Sequence, residues 1–284
     1  AAAGSRLVFN ETNFLGNRAS SHGGAVYASD GSSVTCVGSV TFADNQADID
    51  GGAMFVTRQS MVSCGGTWFN NRAARDGGAL MAGNSSSVSW SEEATFTNNT
   101  AGSSGGGVVV FDGATLSWNA TANFSSNSAD VSGGAVVVRF GSSASWSGTT
   151  TFTNNFAQFG GALAIFDQST CAQWSLLTKF VGNEAADGGA VYVFASFVWW
   201  TGDGTEFHEN RATSNGGAMN IVSSHVYCTD NKFFGNSAGG TGGALHMHVE
   251  SSLEFDGNTV FRENRAVRDP SRNESGYGGC LSAD

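Results

Sequence analysis

The stretch from Phe14 to Ala28, FLGNRASSHGGAVYA, contains the two short motifs that decide the fold. In the first motif an aromatic residue is followed three positions later by Asn, and in the second a Gly-Gly pair begins a short apolar segment. The first motif occurs ten times, 26 to 28 residues apart, starting at Phe14, Phe42, Trp68, Phe96, Phe124, Phe152, Phe180, Phe207, Phe233 and Phe261. A Gly-Gly pair follows eight or nine residues later in nine of the ten copies. A fixed period of this length indicates a repeat architecture.

Each repeat reads as three short strands separated by turns. The segments GGAVYA, SSVTC and SVTFADN, all between Gly23 and Asn45, alternate in polarity and are bounded by turn-forming residues. One such unit cannot bury its own apolar side, so it must stack on its neighbours as a coil of a solenoid. The leucine-rich repeat has a similar period, but its Leu pattern is missing here. We therefore predict an all-β, three-stranded parallel β-helix of about ten coils, forming a single domain over residues 1–284.

Alignment of the coils predicts the core, because inward columns are uniform and outward columns vary. The position after GGA holds Val, Leu or Met in every coil with a regular Gly-Gly interval. One inward column of the second strand runs Leu7, Val34, Val62, Val88, Leu116, Ala144, Ala172, Val198, Val226 and Leu253. The next runs Phe9, Cys36, Cys64, Trp90, Trp118, Trp146, Trp174, Trp200, Cys228 and Phe255. Its five tryptophans predict a stacked core ladder, with a cofactor-binding cluster as the alternative.

The asparagines of the first motif form a second predicted ladder. They are Asn17, Asn45, Asn71, Asn99, Asn127, Asn155, Asn183, Asn210, Asn236 and Asn264. An inward amide at this turn can form hydrogen bonds with both the turn backbone and the amide of the next coil. Buried polar groups that would otherwise lack a hydrogen-bond partner are thereby satisfied. A direct functional role is the alternative.

Composition narrows the function classes. The chain of 284 residues has 40 Gly, one Pro and a formal net charge of −11, and it lacks a cluster of Lys or Arg that could follow a phosphate backbone. We therefore exclude nucleic acid as a partner. The sequence has no run of 18 apolar residues, so it predicts no membrane span and no targeting segment. No cofactor is predicted.

The motif pair resembles the polymorphic outer membrane proteins of chlamydiae, whose passenger regions carry repeated GGA[ILV] and FxxN tetrapeptides. FxxN is intact in nine coils, WFNN at Trp68 is the tenth, and GGA is replaced by GGG at Gly105 and by GGC at Gly278. The resemblance implies a right-handed β-helix and an adhesive, surface-displayed role. The chain begins in the middle of a coil and ends as an eleventh coil starts, so we expect a segment of a longer rod with both caps missing.

Several residues are candidates for modification or cross-linking. Sequons for N-glycosylation occur at Asn10, Asn84, Asn98, Asn119, Asn123 and Asn273, all at predicted turns or outward positions. Cys36 and Cys64 share a column in adjacent coils, which fits either a disulfide or two buried thiols. The remaining three cysteines, Cys171, Cys228 and Cys280, have no comparable partner in the alignment.

The outward side of the first strand predicts a partner surface. Its apolar stripe comprises Tyr27, Phe55, Met81, Val109, Val137, Ala164 and Tyr192, with Phe111, Phe166 and Phe194 two residues further along. An exposed stripe of this size is typical of a contact surface. A cover from glycans or a flanking segment, or a reversed inward assignment, are the alternatives.

Other polar residues have both a structural and a functional interpretation. Asp48, Asp50, Asp76 and Asp187 precede Gly-Gly pairs, where they fit turn capping or a calcium site. His246 and His248 share an outward face, but two ligands make a poor metal site. An insertion after Phe261 carries Arg265, Arg268 and Arg272 and is either a tolerated loop or a binding loop.

Together these features favour a non-catalytic extracellular rod on a cell surface, used in adhesion or built into a surface filament. Its expected partners are other protein chains, bound laterally or end to end, or cell-surface ligands. The alternative is a carbohydrate-active β-helix enzyme, either a lyase or a hydrolase. Such an enzyme needs carboxylates that converge on one face, and the acidic residues here are dispersed.

Overall fold

The computed structural model describes residues 4–174, 176–202, 204–267 and 278–283. It places one strand of each repeat in each of three ten-stranded sheets. The Trp sheet consists of Arg6–Asn10, Ser33–Val37, Met61–Ser63, Ser87–Trp90, Thr115–Trp118, Ser143–Trp146, Thr170–Trp174, Phe197–Trp200, His225–Thr229 and Ser252–Asp256. The Phe sheet consists of Asn13–Leu15, Thr41–Ala43, Gly66–Phe69, Ala94–Thr97, Ala122–Ser125, Thr150–Thr153, Thr178–Val181, Thr205–His208, Lys232–Phe234 and Val260–Arg262.

The third sheet follows the Gly-Gly pairs and is called the GGA sheet. It consists of Val26–Ala28, Met54–Val56, Leu80–Ala82, Val108–Val110, Val136–Val138, Leu163–Ile165, Val191–Phe194, Met219–Val222, Leu245–His248 and Leu281–Ala283. Two-residue strands also pair just after the Asn ladder, at Arg18–Ala19, Gln46–Ala47, Arg72–Ala73, Thr100–Ala101, Ser128–Ala129, Glu184–Ala185, Arg211–Ala212, Ser237–Ala238 and Arg265–Ala266. These short strands were not predicted. Each coil therefore has three longer strands and, in most coils, a fourth very short one.

Strands in each sheet pair in parallel with the equivalent strand of the adjacent coil. The register follows the repeat, so Val26 lies beside Met54 and Phe14 lies beside Phe42. The described residues contain no helix. The prediction of an all-β parallel solenoid is therefore confirmed, with about nine full turns between the first and last coils.

The aromatic residues of the first motif form the longest stack in the core. Their ten rings lie 4.0 to 5.4 Å apart between centroids, with successive planes within 14° of parallel. Each such pair contributes about 0.5 to 1.5 kcal/mol beyond the burial of its surface. The stack runs from Phe14 to Phe261 and packs the interior of the described coils continuously.

The predicted tryptophan ladder lies beside this stack. Trp90, Trp118 and Trp146 are buried, with centroid distances of 4.9 Å and 4.5 Å between neighbours. Trp200 is also buried and packs on Phe207 at 5.7 Å. The side chain of Trp174 lies outside the described residues.

The inward column position predicted for Ala172 is filled by Cys171. Cys171, which is fully buried, pairs with Ala144 on one side and with Val198 on the other. The register shifts by one residue between Ser145 and Trp146, so that Trp146 again pairs with Trp174. This strand thus holds one extra residue in a β-bulge before its tryptophan. An alignment that counts back from the tryptophan therefore places the inward position one residue too late.

The predicted Asn ladder is confirmed and is bonded from coil to coil. The amide nitrogen of Asn71 donates to Oδ1 of Asn99 at 2.9 Å and to the carbonyl of Phe42 at 2.9 Å. The backbone N–H of Asn71 donates to the same Oδ1 at 3.0 Å. Because this pattern repeats along the column, the buried amides satisfy both their own polar groups and the backbone of the turn.

The Gly-Gly pair is explained by two different constraints. Gly51 has a φ of 62°, in the left-handed region that glycine adopts without strain. Gly52 has no room for a side chain, since a Cβ there would lie 2.0 Å from the carbonyl oxygen of Gly78 in the next coil. Close stacking of the coils therefore requires glycine at the second position.

Candidate functional site

The predicted partner stripe is wrong at its centre. Phe55 and Met81 are 8% and 2% exposed, and Val109, Val137 and Ala164 are fully buried. These five side chains form a second small core on the outer side of the GGA sheet. The inward assignment of the sheet is correct, but its outer side is not a free surface.

The first glycines of the Gly-Gly pairs pack against this stripe. An ideal Cβ on Gly77 would lie 2.8 Å from Cβ of Met81, and one on Gly133 would lie 2.4 Å from a methyl group of Val137. The turn backbone therefore packs directly against the outward side chains. Among the residues proposed for this surface, Tyr27 and Phe194 are exposed, while Phe111, Phe166 and Tyr192 are partly buried.

The aspartates before the Gly-Gly pairs have structural contacts. Asp50 is 1% exposed and is held by Arg75 through Nε at 2.9 Å and Nη2 at 2.6 Å. Asp76 accepts a bond from Nη2 of Arg139 at 2.9 Å and from the backbone N–H of Ser104 in the next coil at 3.0 Å. Both carboxylates are therefore paired with arginines, and Asp76 also accepts a hydrogen bond from a turn N–H group. These contacts fit turn capping better than a calcium site.

A second group of polar residues lies in later coils, around Asp187. Asp187 accepts bonds from the backbone and the amide of Asn215, both at 3.1 Å. Thr241 lies 2.9 Å from Nδ1 of His246, which is 5% exposed, and the rings of His246 and His248 are 6.2 Å apart. Within the described ranges, no group of three or more His, Cys, Asp or Glu side chains is arranged to hold a metal ion.

The candidate modification sites lie at accessible positions. Asn10, Asn84, Asn98 and Asn119 are exposed and Asn123 is half-buried. Asn273, together with Arg268 and Arg272 of the inserted loop, lies outside the described residues. Glycosylation at any of these positions stays a prediction.

The structure joins Cys36 and Cys64 by a disulfide, with their Cα atoms 4.6 Å apart. Cys171 and Cys228 are buried thiols, and burial raises the pKa of the Cys228 thiol. Cys280 is exposed.

The Phe sheet carries one charged cluster on its outer face. Glu206 accepts a hydrogen bond from Nζ of Lys232 at 3.0 Å and lies 3.2 Å from Nζ of Lys179 in the preceding coil. Partial burial raises the pKa of Glu206, but hydrogen bonds from Lys232, Lys179 and His208 lower it more, to about 2. The cluster links three coils across the sheet surface.

The most unusual exterior feature is a group of aromatic residues on the Trp sheet, called here the aromatic platform: Phe197, Trp199, His225 and Tyr227. Phe197 and Trp199 are 41% and 44% exposed. The ring of Phe197 lies 5.9 Å from that of Trp199 and 5.4 Å from that of His225, with the planes within 12° of parallel. Trp199 pairs in register with Tyr227 of the next coil.

Polar groups border the platform on the following coil. The hydroxyl of Tyr227 donates to Oδ2 of Asp256 at 3.1 Å, and this hydrogen bond raises the pKa of the phenol. His225 is hydrogen-bonded to the hydroxyl of Ser252. Glu254 pairs in register with Tyr227 and is exposed.

Sequence reasoning missed the platform, although a signal for it was present. The segment FVWW, residues 197–200, places Val198 and Trp200 inward, so strict alternation puts Phe197 and Trp199 on the outside. The outward positions of several preceding coils hold Ser or Thr instead, as at Ser143 and Ser145, although Val8 and Met61 are exposed apolar residues in the same columns. Trp200 lies in an inward column that repeats tryptophan, whereas the column of Trp199 holds no other tryptophan.

The comparisons with known proteins agree with the fold. The family model of the Chlamydia polymorphic membrane protein repeat matches residues 11–29 and 93–110. Each match spans one FxxN motif and the following Gly-Gly segment. A search of curated proteins and a search of solved structures each gave no significant match. In the described part of the chain, no helix is long and apolar enough to cross a membrane. Residues 11–29 and 93–110 therefore match the Chlamydia polymorphic membrane protein repeat, and the coils that contain them are stacked in a parallel β-solenoid.

Proposed function

We propose that the chain is a non-catalytic extracellular rod, right-handed in its winding and based on three strands per coil, that is displayed on a cell surface for adhesion or built into a surface filament. The observation that carries this proposal is the coil-to-coil continuity of the interior. The aromatic stack and the Asn ladder both run from the first repeat to the tenth. Such a stack is a stiff scaffold that holds its faces in a fixed order.

The charged groups support a structural role over the enzyme alternative. Asp50 and Asp76 are neutralised by Arg75 and Arg139, and Glu206 is held by two lysines. A general acid needs a carboxyl group with a raised pKa, whereas the pKa of Glu206 is lowered. The carboxylates with the strongest contacts thus stabilise the stack.

Three features support an extracellular location. Disulfides persist in oxidising compartments, and Cys36 is bonded to Cys64. The matching repeat is named for membrane proteins of Chlamydia. The exposed sequon asparagines also suit a secreted chain.

Antibodies raised against the folded chain test the location. They should label intact cells of the source organism without permeabilisation, and beads coated with the chain should attach to cultured cells more than albumin-coated beads do. Labelling that requires permeabilisation would contradict the proposal. Release of reducing ends from pectin, xylan or chitin by the purified chain would instead support the enzyme alternative.

A further inference from the structure

We infer that the aromatic platform is a binding site for a neutral saccharide, which would act as the adhesive contact of the rod. This inference rests on the proposed function, because it assigns a ligand class to the adhesive role. The observation that points to it is an exposed pair of aromatic rings, Phe197 and Trp199, at positions that hold Ser or Thr in the coils of Ser87, Thr115 and Ser143.

Ring arrangement decides which ligand fits. The ring of Phe197 is stacked on those of Trp199 and His225, so the three rings do not form a box that could enclose a cation. The exposed part of this stack, chiefly Trp199 at 44% exposure, suits a ligand with an apolar face. A pyranose has such a face, since its axial C–H groups pack against the electron-rich face of an aromatic ring. Its hydroxyl groups then point sideways, towards the border of the site.

The border provides hydrogen-bonding groups for those hydroxyls. Asp256 and Glu254 are exposed carboxylates on the coil after Tyr227, and carboxylate oxygens accept hydrogen bonds from sugar hydroxyls. The phenol of Tyr227 already donates to Asp256, which fixes both groups beside the rings. Apolar faces with a few fixed polar groups are the usual composition of a small-molecule site.

Charge selects the class of saccharide. The chain carries a formal net charge of −11, and Glu254 and Asp256 lie at the platform itself. Like charges would repel sialylated or sulfated glycans from this surface. A cationic ligand such as choline is attracted by the carboxylates, but it is best held by rings that surround it, which nearly parallel rings do not do. A neutral sugar is therefore the favoured occupant.

Size limits affinity and suggests how the site is used. Neighbouring coils are about 4.8 Å apart and alternate residues on a strand about 6.6 Å apart, so the four aromatic residues cover roughly one or two sugar rings. A site of this size on an open sheet binds weakly by itself. Many rods displayed on one cell would raise the overall affinity by multivalency.

Saturation-transfer NMR on the full chain tests the inference with lactose, maltose, cellobiose and diacetylchitobiose as probes. At least one of these disaccharides should bind, with the strongest saturation on the C–H protons of one ring face. Trp199→Ser, which introduces the residue found at Ser145 in the same column, should weaken that binding by about tenfold or more. The control Phe156→Ser removes an exposed aromatic residue elsewhere and should leave binding unchanged. Circular dichroism should show that both variants remain folded.

Three results would overturn the inference. The first is that none of the disaccharides binds, and the second is that Trp199→Ser leaves their binding unchanged. The third is that only choline chloride binds and that Trp199→Ser abolishes its binding. The proposed function fails separately, through absent labelling of intact cells. If beads attach to cells equally with the parent chain and with Trp199→Ser, the adhesive rod stands and the saccharide site does not.

Discussion

Removal of one amide from the middle of the Asn ladder should destabilise the whole rod. The side chain of Asn127 makes four hydrogen bonds: it donates to the carbonyl of Phe96 at 2.9 Å and to Oδ1 of Asn155 at 3.1 Å, and it accepts from the backbone and the amide of Asn99 at 3.0 and 2.9 Å. At about 1 kcal/mol for each bond, Asn127→Ala should lower the free energy of unfolding by about 4 kcal/mol. The matched variant Asn17→Ala removes one side-chain bond at an exposed end position and should lower it by about 1 kcal/mol or less.

Urea unfolding followed by tryptophan fluorescence measures the difference between these variants. A stack of coils can unfold in more than one step, so hydrogen exchange should be measured in parallel. Exchange in Asn127→Ala should increase most in the coils that contain Phe96 and Asn155. Equal destabilisation by Asn127→Ala and Asn17→Ala would refute the reasoning, because it would mean that the buried amides contribute no more than an exposed one.

Three further perturbations have defined outcomes. The indole N–H of Trp118 donates to Thr150 at 2.9 Å. That of Trp90, one coil earlier, finds no hydrogen-bond acceptor among the described residues, and Ala122 holds the position equivalent to Thr150. Ala122→Thr should therefore be more stable than its isosteric control Ala122→Val by about 1 kcal/mol in urea unfolding. Reduction of the Cys36–Cys64 disulfide, which closes a sequence separation of 28 residues, should lower the free energy of unfolding by about 3 kcal/mol, and a chain equally stable with and without dithiothreitol would contradict this. Because the pKa of Glu206 is lowered to about 2, its ion pairs stabilise the fold fully above pH 4.5 and lose their effect as the pH falls towards 2. In thermal melts at different pH values, Glu206→Gln should thus be less stable than the parent chain at pH 6 and equally stable near pH 2. A stability difference that does not change with pH would count against these ion pairs.

The sequence predicts the interior of this molecule better than its exterior. Inward columns are constrained by contact with the coils above and below, so residues such as Val26 and Asn127 repeat and can be aligned. The burial of Met81 could not be predicted in the same way. It depends on a turn that packs against the outer side of the sheet, and the only sign of that turn in the sequence is its glycine.

One other misassignment and one omission also have local causes. Cys171 faces inward because of a single-residue bulge, which changes the face without breaking the repeat. Trp199 lies outside because strand alternation leaves it no other position, but no repeated column marks it. A functional group present in one or two coils leaves no repeated column in the sequence.

The most direct test of the stacked register is cross-linking between adjacent coils. Ser89 and Ser117 pair in register on the outer face of the Trp sheet, one coil apart like the disulfide-bonded Cys36 and Cys64 of its inner side. In a Cys280→Ser background, the pair Ser89→Cys and Ser117→Cys should form a disulfide under mild oxidation. Chymotryptic peptides joined by that bond should be detected by mass spectrometry. The pair Ser89→Cys and Ser145→Cys, two coils apart, should stay reduced. Equal cross-linking of both pairs, or of neither, would contradict a solenoid with one repeat per coil.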